Sequence, residues 1–147
     1  MVYGFCDNKC KHEVYTKDEV YSKEEVDLLN QDSGWIQATL NDPFQAFDNQ
    51  DSNIPEYRKV GKMVEIRGIV TPKETINADS KVNIFWLPEG YRPSRMEYRI
   101  CQGTGRNIWL LAISQDGTVQ FGRYGVNEYI DVPASTWLPF NATFLID

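Results

Sequence analysis

From residue 35 onward the hydrophobic positions fall into short runs separated by turn residues. "KMVEIRGIV" (62–70) alternates, which places Val64, Ile66 and Val70 on one face of a strand. "WIQATL" (35–40), "VNIFWL" (82–87) and "MEYRIC" (96–101) read as further strands, the last two bracketing the turn "PEGYRPS". "NIWLLAIS" (107–114) is apolar without a break and is expected to be a central strand covered on both faces. A hairpin then follows, with Asp116 and Gly117 supplying positive φ before "TVQFGRY" (118–124). "EYIDV" (128–132) and "TWLPFNATFLI" (136–146) complete the set, and the Asp/Asn/Gln-rich stretch from residue 41 to Pro55 reads as a loop. Seven or so closely spaced strands without a second helix predict a mainly β chain whose head is an antiparallel sandwich or barrel.

A different pattern precedes the strands. "YTKDEV" and "YSKEEV" (15–26) repeat at six residues, a period of neither helix nor strand. Each copy is a helix-start signal. Thr16 or Ser22 is the N-cap, Glu19 or Glu25 stands three residues on, and Tyr15/Val20 or Tyr21/Val26 occupy the staple positions. The second copy opens a helix from Lys23 to about Gln31, with Gly34 as its stop. So short a helix is marginal alone, so Val26, Leu28 and Leu29 need a partner surface: either their own domain or further copies of the helix. The expected organisation is a segment 1–34 carrying a short capped helix and a β head over 35–147.

Composition narrows the functional classes. The 147 residues carry a net charge of −6, which disfavours nucleic acid and anionic membrane as partners. No apolar run approaches the ~20 residues of a membrane span and no signal-peptide core follows Met1, so synthesis in a cytoplasm is expected. Cys6, Cys10 and His12 lie close enough to suggest half a metal site, but the chain has no second Cys/His pair to complete four ligands. A turn at Asp7–Lys9 is the simpler reading, and no cofactor is expected. His12 is the only histidine, and no G-x-S-x-G nucleophile elbow occurs. "CQGTGRN" (101–107) lacks the Lys-Ser/Thr ending of a phosphate loop and reads as a strand connection. Nothing in their spacing singles out a catalytic pair among Glu89, Glu97, Asp116 and Glu128, so an enzyme is not expected.

Aromatics make up 13% of the chain, and most lie after residue 80 among loops rich in Asn, Gln, Asp and Arg. Those are the components of sugar recognition, since rings stack on a pyranose and planar polar groups take paired hydroxyls. "RYGVNEY" offers Arg123, Tyr124, Asn127, Glu128 and Tyr129, and "GTGRN" adds Arg106 and Asn107. Trp109 and Phe121 sit within strands and are expected in the core.

In order along the chain, "YSKEEVDLL", "YRKVGKMVEIRGIVTP", "FWLPEGYRPS", "SQDGTVQFGRY" and "WLPFNATFLI" resemble phage tail and baseplate proteins of Gram-positive bacteria. The resemblance spans Tyr15 to the C-terminus. It implies a homotrimeric tip protein of the virion, docked on other tail or baseplate proteins through its N-terminus. Its head would bind a host cell-wall or capsular saccharide. Tyr21, Val26 and Leu29 would then pack around the threefold axis as a stalk. The resemblance also admits a structural baseplate subunit without a ligand, and a bacterial glycan-binding module is a further reading.

Overall fold

The computed structural model describes residues 20–29 and 31–147. The chain divides after Gln31, and the head unit runs from Asp32 to Asp147. In the N-terminal unit, helix α1 (Lys23–Leu29) starts where the repeat predicted. The Glu25 backbone N–H donates to Ser22 Oγ at 3.1 Å, and the Ser22 N–H donates to Glu25 Oε1 at 2.8 Å. This reciprocal pair is the capping box of the second repeat copy. The helix stops two residues short of Gln31. Val20, Tyr21 and Val26 are exposed, whereas residues 15–19 of the first repeat copy and the Leu29 side chain lie outside the described residues.

The head consists of nine antiparallel strands in two sheets. The first contains β1 (Ile36–Gln37), β2 (Phe44–Ala46), β3 (Glu56–Val60), β4 (Met63–Pro72) and β9 (Leu138–Leu145). Strand β4 is its axis. β9 pairs with it from Met63 to Val70 along one edge, while β3 and then β2 share the other. The second sheet has the order β5 (Val82–Trp86), β8 (Thr118–Gly125), β7 (Ile108–Ile113), β6 (Glu97–Gln102). The sheets meet beside β6, where Arg99 Nη2 donates to the Thr143 carbonyl of β9 at 2.7 Å.

Alternation explains the core. Val64, Ile66 and Val70 of β4 face Phe85, Leu111, Ile113 and Val119 across the sandwich, and Leu138, Phe140, Ala142 and Phe144 of β9 join them. Phe121 is the aromatic hub, with ring centroids 5.1 Å from Trp109, 5.7 Å from Phe44 and 6.1 Å from Tyr124. Each such buried side chain contributes about 1.5–3 kcal/mol. An exposed pair such as Lys73–Asp42 adds about 0–1 kcal/mol, so packing and not surface charge holds the head together.

The predicted fold class is the observed one, with three local differences. The stretch from residue 41 to Pro55, read as a loop, contains the three-residue β2, and β3 follows it directly, its half-buried, charge-rich residues hiding the alternation. "EYIDV" is no strand and contributes only an isolated bridge from Val132 to Ile76. "WIQATL" shortens to the two residues of β1.

Where β2 and β3 meet on β4, Gly68 has φ +146°, and a Cβ there would overlap the Pro55 backbone. Gly68→Ala is expected to lower stability by at least about 2 kcal/mol, read as a drop in the denaturant midpoint. A midpoint unchanged from the parent chain would show that the crossing tolerates a side chain.

Candidate functional site

Two β-bulges decide which side chains of the second sheet reach solvent. In β5, Asn83 pairs with Gln120 and Trp86 with Thr118, so Ile84 and Phe85 together oppose Val119. Both are fully buried. The extra residue shifts the phase of the strand, and Trp86 emerges on the same outer face as Asn83, 51% exposed. In β8, Leu110 pairs with Gly122 and Ile108 with Gly125, so Arg123 and Tyr124 together oppose Trp109. Here the shift turns Arg123 outward, at φ +54°, and Tyr124 into the core.

The outward residues of β5, β7 and β8 line a pocket of about 330 Å³. Trp86 and Met96 supply apolar surface, and Asn83, Gln120, Ser114, Thr118 and Asp116 supply polar groups. The β7–β8 hairpin is anchored beside it. Gly117 N–H donates to Ser114 O at 2.9 Å, and Leu87 N–H donates to Gly117 O at 2.8 Å. Gly117 alone carries the positive φ of this turn, whereas the sequence suggested Asp116 as well. A Cβ on Gly117 would overlap the Leu87 carbonyl, so glycine permits the close approach of hairpin and loop. Asp116 Oδ1 accepts the Thr118 backbone N–H at 3.0 Å. That bond first, then the Thr118 and Ser114 hydroxyls and the charge of Arg92, hold its carboxyl below the ordinary carboxylate value.

The seven residues singled out from the sequence gather at the opposite end of the same sheet. The β6–β7 connection turns at Gly105 and Arg106, with φ of 70° and 69°. Its Thr104 is tied to Trp137, whose backbone N–H donates to Thr104 Oγ1 at 2.9 Å. Asn107 Nδ2 donates to Tyr124 Oη at 3.3 Å, and that hydroxyl donates to Thr104 O at 3.3 Å. Tyr124 is only 3% exposed, so its ring packs in the core and its hydroxyl braces the loop. Arg106, Arg123, Asn127, Glu128 and Tyr129 are exposed, and Asn107 is half-buried. Arg123 also borders a second outer-face pocket of about 190 Å³ with Ile100, Ile108 and Leu110.

Sequence reasoning missed Trp86, Asn83, Gln120 and Ser114. Strict alternation through "VNIFWL" puts Trp86 on the face of Ile84, and only the bulge reverses it. The doubly apolar run of β7 is likewise covered by the core on one side only, with Ile108 exposed on the other.

This face can bind through ring stacking and planar hydrogen bonding. Cys101 is half-buried at the β6–β9 seam, and this burial pushes its thiol up to about 11, so it is not a nucleophile at neutral pH. Glu97 is ion-paired with Arg99, whose Nη1 lies 3.1 Å away, while Glu89 and Glu128 are exposed in separate loops. Among the described residues no three His, Cys, Asp or Glu are grouped to hold a metal, and Cys6, Cys10 and His12 lie outside them. No described helix is long and apolar enough to cross a membrane.

The fold has a solved counterpart. The head domain of phage bIL170, described in connection with receptor-binding domains of lactococcal phages, superposes with a TM-score of 0.54 at 12% identity. The match covers 77% of this chain and 97% of that one. No protein-family model matches the sequence, and no curated protein matches it significantly. The likeness is therefore one of fold, and it agrees with the phage-tail resemblance read from the sequence.

Tyr124→Phe should cost about 1 kcal/mol at most, since it removes two hydrogen bonds but leaves Asn107 Nδ2 bonded to Thr104 O, whereas Tyr124→Ala should cost roughly 3–5 kcal/mol through the cavity it leaves. An alanine variant as stable as the parent would contradict the core placement. For Cys101, the folded-state value lies above the unfolded one, so its contribution to stability is full below about 9 and is lost as pH rises through about 11. With Cys6 and Cys10 replaced by serine, alkylation of the native chain should be slow at neutral pH and accelerate only near that upper value. Rapid labelling at neutral pH would show that the seam is open.

Proposed function

We propose that this chain is a host-attachment protein of a phage tail, with the β head as the receptor-binding part and the N-terminal segment as its connection to the tail or baseplate. The observation that carries this reading is the shared fold with the bIL170 head domain, which takes in nearly all of that domain. The ligand class that best fits the second sheet is a host cell-surface saccharide. Arg106, Asn107, Arg123, Asn127, Glu128 and Tyr129 stand at one end of that sheet as contacts, braced from below by Tyr124.

In this reading the chain works as a homotrimer within the virion. Val26 on a well-capped helix and Tyr21 just before it are exposed, and in this reading three copies bury them, together with Leu29, about a common axis. Adhesion follows from multiplicity. A single sugar site is weak, and three per trimer raise the effective concentration enough for firm attachment.

Light scattering should give a mass near three times 17.0 kDa. Labelled protein should adsorb to some members of a panel of Gram-positive strains, with Arg106→Ala, Arg123→Ala or Tyr129→Ala each weakening adsorption about tenfold at unchanged mass. A monomer removes the threefold stalk. A trimer that adsorbs to no strain in a broad panel removes the attachment role.

A further inference from the structure

Across β5 and β8, Gln120 Nε2 donates to Asn83 Oδ1 at 3.4 Å. Among the described residues, Asn83 Nδ2 and Gln120 Oε1 have no protein partner, so one amide donor and one amide acceptor remain side by side in a half-buried position. Such a pair matches two adjacent hydroxyls, one accepting and one donating. Trp86 stands on the same outer face, paired on β8 with Thr118, two residues from Gln120, and offers half of its indole to solvent. Asp116 closes the same pocket with an ionised carboxylate, anchored through one oxygen by the Thr118 N–H. At about 330 Å³ the cavity sits at the small end of the ~300–1,000 Å³ range of ligand sites.

We propose that this pocket is a subsite for one pyranose ring of an uncharged saccharide. The ring stacks on Trp86, the Asn83–Gln120 pair bridges two vicinal hydroxyls, and a further hydroxyl donates to Asp116. Each element has its own reason. The indole face attracts the weakly polarised C–H groups of a pyranose, which gives affinity without a demanding fit. The amide pair reads hydroxyl placement, because a ring lacking either hydroxyl leaves a half-buried polar group unmatched. The carboxylate accepts hydrogen bonds and repels anions, so a uronic acid or a phosphorylated carbon at that end is disfavoured. This subsite is separate from the loops at the far end of the sheet. Only its biological setting rests on the attachment reading above.

The test uses the full chain, labelled with ¹⁵N and titrated with methyl pyranosides of glucose, galactose and N-acetylglucosamine to tens of millimolar. Cyclohexanol serves as a ring without the hydroxyl pattern. The expected result is saturable movement of the Trp86 indole N–H resonance, assigned by its loss in Trp86→Ala, with at least one glycoside and not with cyclohexanol. Affinity should fall at least about tenfold in Trp86→Ala, Asn83→Ala and Asp116→Asn, and less in Trp86→Phe, which keeps a platform. All four changes lie at solvent-accessible positions, and each variant is first matched to the parent by its amide spectrum.

Failure here and failure of attachment separate cleanly. If the chain adsorbs to cells and Trp86→Ala adsorbs equally well, while no glycoside moves the indole, the subsite is overturned and the attachment reading stands. If no cells are bound but a glycoside moves the indole saturably, the subsite stands and attachment fails. Equal response to cyclohexanol and to the glycosides would reduce the pocket to an apolar patch and overturn the proposal.

Discussion

A β-strand gives successive side chains to opposite faces, and in a two-layer head one of those faces is dry. Every residue's fate is therefore tied to its count along the strand, and an uncompensated one-residue slip would turn the whole core of Val64, Ile66, Phe121 and their neighbours toward water. The second sheet meets this constraint and still adjusts its surface, because each of its two bulges absorbs one residue without disturbing the pairing beyond. In β5 the absorbed residue adds to the core and lets Trp86 emerge. In β8 it sends Arg123 out and brings Tyr124 in. What the outer face offers a ligand is set by these two phase shifts.

The same constraint explains how much could be read from the amino acids alone. The alternating segment 62–70, the strand character of the β7 run though not its one-sided cover, and the capping box at Ser22 were legible, because each is a local pattern. Strand β3 was not, since Tyr57, Arg58 and Lys59 are all half-buried against distant aromatic rings, Tyr57 on Phe85 and Tyr91, Arg58 on Trp35 and Lys59 on Tyr91, and carry no clean alternation. Lys59, for instance, lies over the Tyr91 ring at 4.6 Å and donates to the Gly90 carbonyl. For the candidate site, the sequence pointed to the end loops because Arg, Asn and Tyr cluster there, and the structure brings those residues to one end of the second sheet. The Trp86 pocket was invisible because its residues come from three strands and depend on a bulge that no residue type announces. Tyr124 shows the converse case, a residue chosen for its chemistry whose hydroxyl is spent inside the fold.

The two ends of the second sheet are stiffened by different means. At the Trp86 end, hairpin and loop are joined backbone to backbone through Leu87 and Gly117, with Arg92 Nε donating to Leu87 O at 2.9 Å. At the other end, Tyr124, Asn107 and Thr104 form a side-chain bracket, and Trp137 ties it to the last strand. Both arrangements tie the segments that end the sheet to its framework, which would lower the entropy lost if a partner binds there.

The outer row of Asn83, Trp86, Thr118 and Gln120 stands on the face opposite Phe85, Val119 and Phe121, which do the packing. Surface and interior are thus written by different codons of the same strands. Mutation can redraw the outer row one position at a time while the sandwich beneath keeps its stability, and diversification then needs no new fold. Such a division of labour allows one architecture to be kept by chains as different as this one and the bIL170 head, at 12% identity.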